Sequence, residues 1–72
     1  MLEKARKFYE HEYKSVQRWL ESKYCFDKRQ AIDNALQRCL GVCFFIQDFD
    51  ISYEDASQLY DEYKEKIEKL IA

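Results

Sequence analysis

This sequence predicts an all-α fold: a three-helix up-down-up antiparallel bundle, with residues 1–72 forming a single small helical domain. The 72 residues contain no proline and one glycine, whereas a sheet protein needs turn signals roughly every 8–12 positions. Charged residues make up 36% of the chain, a composition typical of long helices. Apolar residues also recur at spacings of three and four in three stretches, separated by two capping signatures.

The first helix is expected over residues 2–23. Ala5, Tyr9, Tyr13, Val16 and Leu20 fall on one stripe at 100° per residue, with Phe8 and Trp19 along its edge. Lys4, Lys7, His11, Lys14 and Arg18 fall on the other side. The break comes at "KYCFDKRQ". Asp27 is suited to accept from free backbone N–H groups of the next turn, and Gln30 stands where a capping box needs its reciprocal partner.

The second helix is expected over 28–48. Its inner residues, including Ile32, Leu36, Cys39, Cys43, Phe44 and Ile46, spread over more than half the wheel. Gly41, Gln37 and Asp48 occupy the thin polar side. A helix this apolar must be covered on two sides, which the other two helices can do. Ser52 then caps a third helix over 53–71, with Ala56, Leu59, Tyr60, Tyr63, Ile67 and Leu70 inward. Glu54 and Asp55 suit the positive end of its dipole, and Lys66 and Lys69 the negative end. Short connections make successive helices antiparallel neighbours.

Composition limits the function classes. A domain this small buries only about 60% of its unfolded surface, so a deep substrate cleft is not expected. No apolar run approaches the roughly 18 residues that span a membrane, and "MLEKARKFYE" lacks the apolar segment of a secretion signal. The expectation is a cytoplasmic protein with no membrane partner. The three cysteines cannot form a complete disulfide framework.

Cys39 and Cys43, in "CLGVCFFI", share one helix face. A structural zinc site needs four ligands, and only Cys25 and the single histidine, His11, remain as soft candidates. Both cysteines fall on the inward stripe and are expected in the core, with no metal or cofactor. Neither a phosphate-binding glycine loop nor a nucleophile motif occurs, so an enzyme is not expected. Gly41 calls for a close backbone approach, a helix end or kink there, or simple tolerance.

Three non-enzymatic readings follow. Aromatic residues form 17% of the chain, more than a domain of this size can bury, and aromatics are enriched at interfaces. The leading expectation is a protein-interaction module of unknown partner. Its contact patch comprises Phe8, Trp19, Phe45 and Phe49, and it forms a homodimer around the last three.

Charge supplies two alternatives. Residues 1–38 hold nine Lys/Arg and six Asp/Glu, a balance of +3, and residues 39–72 hold three Lys and eight Asp/Glu, a balance of −5. The acidic set, Asp48, Asp50, Glu54, Asp55, Asp61, Glu62 and Glu65, is a candidate partner-binding face. It could imitate phosphates and inhibit a nucleic-acid-handling protein, as small acidic proteins of phages and mobile elements do. The basic face of the first helix, Lys4, Lys7, Lys14 and Arg18, allows a DNA-binding regulator; "FFIQDFDISYEDASQL" can separately be read as a helix-turn-helix whose reading helix, the third, would present Glu54, Asp55 and Asp61 to the phosphates. Interleaved Glu3, Glu10 and Glu21 and a sequence pI of about 5.3 make nucleic acid the less favoured partner.

Overall fold

A computed structural model describes residues 2–49 and 51–71. Three α-helices run α1 Leu2–Glu21, α2 Lys28–Ile46 and α3 Tyr53–Glu68. A 3-10 turn, Gln47–Phe49, extends α2, and another, Lys69–Ile71, extends α3. All three helices pack against one another, and among the described residues there is no strand.

Local chemistry sets the boundaries. Asp27 accepts from the Gln30 backbone N–H at 3.0 Å, and Ser52 Oγ from that of Asp55 at 3.1 Å. Each cap satisfies a donor that the helix cannot, worth about 1 kcal/mol. The capping box at α2 is only half formed, because the Gln30 amide turns forward to Asn34 Oδ1 at 2.9 Å. α1 stops at Glu21, two residues earlier than the periodicity suggests. The Ser22 hydroxyl accepts from the Tyr24 backbone N–H, and the Ser22 N–H bonds three residues back to Trp19. Serine thus offers the chain a local alternative to another helical turn.

Side-chain pairs fix the directions of the helices. Tyr9 and Glu12 of α1 meet Cys39 and Arg38 of α2, while Val16 and Trp19 lie beside Ala31 and Asn34. The register therefore descends along α2 as it ascends along α1. Arg6 and Glu10 of α1 meet Glu62 and Tyr63 of α3, so those two helices run parallel. This is the up-down-up bundle. Its backbone measures 41 × 18 × 15 Å. A helix of 16 residues is about 24 Å long and cannot lie across such a cross-section. The near-perpendicular helix pair of a helix-turn-helix is therefore not formed by α2 and α3.

Two tyrosines fill the middle of the core. Tyr9 and Tyr63 are 0% and 1% exposed, with ring centroids 5.5 Å apart. Tyr9 Oη donates to the Cys39 carbonyl at 3.2 Å and Tyr63 Oη to Glu10 Oε1 at 2.6 Å. Among the described residues no buried side-chain polar atom lacks a partner. Ile32, Ala35, Cys39, Ile46, Ala56 and Ile67 belong to the same buried core, spread along the bundle. Small Ala and Cys side chains let the helices approach the bulky tyrosines without overpacking.

Candidate functional site

The helical repeat places Phe44 and Phe45 about 100° apart on α2. They therefore straddle its outward face rather than sharing one side. Both are open to solvent, at 60% and 59%. Phe44, expected inside, is thus not covered. It borders a groove of about 270 Å³ between α2 and α3, lined also by Leu40, Cys43, Tyr53, Tyr60 and Asp61. Phe45 packs at a tilt against Phe49 of the following turn, centroids 5.0 Å apart. Phe49 and Tyr53 are exposed as well. The C-terminal part of α2 and the start of α3 therefore carry four open aromatic rings.

The expected patch is only partly assembled. Phe8 is half-buried, packed against the core and edge-on to Tyr9 with centroids 6.1 Å apart, so it is not part of the open surface. Trp19 is 48% exposed but lies beside Ala31 and Asn34. Asn34 precedes Phe45 by eleven residues, about 16 Å of helix. Between the two levels stands an ion pair, Arg38 Nε donating to Glu12 Oε2 at 3.0 Å. Trp19 is therefore not continuous with Phe45 and Phe49. It belongs instead to the opposite end of the bundle, where Tyr24 and Phe26 are also exposed.

Glu12 is a residue that sequence reasoning missed. It is the one buried charged residue among those described. Its partner lies 26 positions away, so no local pattern announces it. The only signal is its wheel position, between Ala5 and Val16 on the packed side.

The acidic set is exposed where described but is not uniformly free; Asp50 lies outside the described residues. Glu62 binds Arg6 at 2.7 Å and Glu65 binds Lys69 at 3.1 Å. Glu54 and Asp55 sit in the first turn of α3, where the helix dipole already opposes their charge. Asp48 and Asp61 are the least compensated, and Asp61 borders the Phe44 groove. On α1, Lys4, Lys7, Lys14 and Arg18 are all exposed. Glu3, Glu10 and His11 share a shallow surface depression with Lys7 and Lys14.

Burial raises the Cys39 thiol to about 11 and also raises that of Cys43. Both are packed in the core, where a thiol resists ionisation and is a poor nucleophile. No three His, Cys, Asp or Glu side chains converge on a possible metal position among the described residues. Gly41 is exposed inside an unbroken α2, and nothing lies within 4 Å of where its Cβ would stand. Neither a helix end nor a close approach within the chain accounts for it.

No family model, curated protein or solved structure matches this chain.

Proposed function

We propose that this chain is a protein-interaction module acting in the cytoplasm through the aromatic face formed by Phe44, Phe45, Phe49 and Tyr53. The observation that carries the reading is the pair Phe44 and Phe45, more than half exposed on the outer side of the middle helix. Leaving apolar surface in water is unfavourable by roughly 25 cal/mol per Å², and contiguous exposed patches mark contact sites. Asp48 and Asp61 provide a polar, acidic rim, the usual surround of an aromatic contact. Acidic mimicry of nucleic acid is the weaker reading, since Glu62 and Glu65 are already paired.

The test is affinity capture with wild type beside a Phe44→Ser/Phe45→Ser double variant, with helicity checked by circular dichroism. Partners retained by wild type should be lost by the variant. If partners survive the variant, or if a low-salt gel shift responds to Lys14→Glu/Arg18→Glu instead, the contact surface is elsewhere.

A further inference from the structure

We infer that the aromatic face is met by a second copy of this chain, with the two α2 helices antiparallel and crossing at Gly41. The inference rests on the aromatic face being a protein contact, and it names the partner. α1 and α3 cover the inner side of α2. The outer side is a continuous series of exposed positions: Asn34, Gln37, Arg38, Gly41, Phe44 and Phe45, with Asp48 one turn further. Spacings of three and four place them on one face. Gly41 lies at the middle of that face, open above its Cα. Glycine weakens a helix relative to alanine, and nothing inside this chain requires it there.

The face is complementary to itself. A two-fold axis at Gly41 sets Phe44 opposite Arg38 of the second copy, Phe45 opposite Gln37, and Asp48 opposite Asn34. The bulky residues of one helix thus meet the long polar stems of the other, and glycine meets glycine where the backbones come closest. Arg38 is already fixed through Nε to Glu12. The outer edge of its guanidinium remains free to lie over a ring, a favourable cation–π arrangement.

Charge selects the same orientation. Lys28, Arg29 and Arg38 against Asp33 leave residues 28–40 of α2, before Gly41, at +2, and Asp48 makes the region beyond its end negative. Antiparallel docking sets these regions against each other with opposed helix dipoles, whereas parallel docking would place Asp48 on Asp48.

Phe44, Phe45 and Phe49, each about half exposed, offer roughly 100 Å² each. With the flanking stems the patch reaches about 600 Å² per copy, at the low end of specific interfaces. The dimer should therefore dissociate in roughly the micromolar range. A two-fold pair is also the commonest symmetric assembly.

Sedimentation equilibrium from about 1 to 200 µM tests this, read against the 8.8 kDa chain mass. Wild type should reach twice that mass. Gly41→Leu, whose Cβ has nothing within 4 Å, should remain monomeric and fully helical, and Phe44→Ser/Phe45→Ser should do the same. Asn34→Lys should tighten the dimer several-fold against Asp48, and Asn34→Asp should loosen it. A wild type that stays at 8.8 kDa overturns the inference while leaving the aromatic face available to another protein. A dimer indifferent to Gly41→Leu and to the double serine variant overturns both this inference and the assignment of that face as the contact surface.

Discussion

The two most aromatic regions of this molecule have exchanged the places that side-chain polarity would assign them. At the centre, Tyr9 and Tyr63 are fully enclosed; on the outside of α2, Phe44 and Phe45 stand in water. Phenylalanine is ordinarily the more buried of the two. The difference lies in position and in hydrogen bonding. Tyr9 and Tyr63 sit on helix faces that point at the common axis, and each hydroxyl finds an acceptor on a neighbouring helix, the Cys39 carbonyl and Glu10. A satisfied hydroxyl removes most of the cost of burying a tyrosine. Phe44 and Phe45 flank the one side of α2 that neither neighbouring helix reaches. Helix geometry, and not hydrophobicity, decides which aromatic is inside.

The strongest test of that contrast removes a ring from each region. Tyr9→Ala should cost about 3–5 kcal/mol, as for other large-to-small core changes. A 72-residue chain has only about 4–11 kcal/mol in all, from 0.05–0.15 kcal/mol per residue, so the urea midpoint of the variant should fall far below that of wild type. Phe45→Ala should change stability by about 0.5 kcal/mol or less, as an exposed site does. Equal losses at the two positions would show that Phe45 supports the isolated bundle.

Alkaline titration should give the next largest effect. Burial raises Cys39 from its ordinary value to about 11, and Tyr9 and Tyr63 are also raised. In each case the ionised form is disfavoured in the fold. Below about pH 9 the thiol is protonated whether the chain is folded or unfolded, and its contribution to stability is fully present. From pH 9 to 11 the unfolded chain loses this proton and the folded one keeps it, so stability falls. For Cys39 alone the loss is on the order of 2 kcal/mol. Urea midpoints across that range should decline, and less steeply in Cys39→Ala.

Glu12 and Arg38 should respond unequally. Arg38→Met strands a carboxylate whose side chain is only 11% exposed and should cost about 1–2 kcal/mol. Glu12→Gln leaves a half-exposed guanidinium that water can solvate and should cost about 0.5 kcal/mol. Denaturation of the two variants side by side measures the difference, and a larger loss for Glu12→Gln would reverse the argument.

The last effect is a gain. Gly41→Ala adds a methyl group in open space on a helix and should stabilise the monomer by about 0.5–1 kcal/mol, measured by thermal denaturation in dilute solution.

Features controlled by near neighbours were legible in the sequence. Asp27 and Ser52 cap the helices where the sequence places them, since a cap reaches only three positions along the chain. The inward stripes through Ile32, Cys39 and Tyr63 also followed from periodicity. What escaped depends on distance along the bundle. Trp19 and Phe45 were grouped by chemistry, yet each falls near the end of its helix, and antiparallel helices end at opposite poles. That signal was present in the topology. Phe44 was misplaced because a helix apolar over half its circumference does not mark which sector its neighbours cover. Glu12 was invisible because Arg38 reaches it from another helix.

An odd number of helices has a mechanical consequence. Leu2 starts at one pole and Ile71 finishes at the other, so tension applied between them runs along the 41 Å axis. α1 and α3, being parallel, would slide past each other instead of peeling apart. The Tyr9–Tyr63 ring contact and the Arg6–Glu62 bridge would then carry the load together. Single-molecule stretching should record one abrupt rupture of the whole bundle, not a helix-by-helix release.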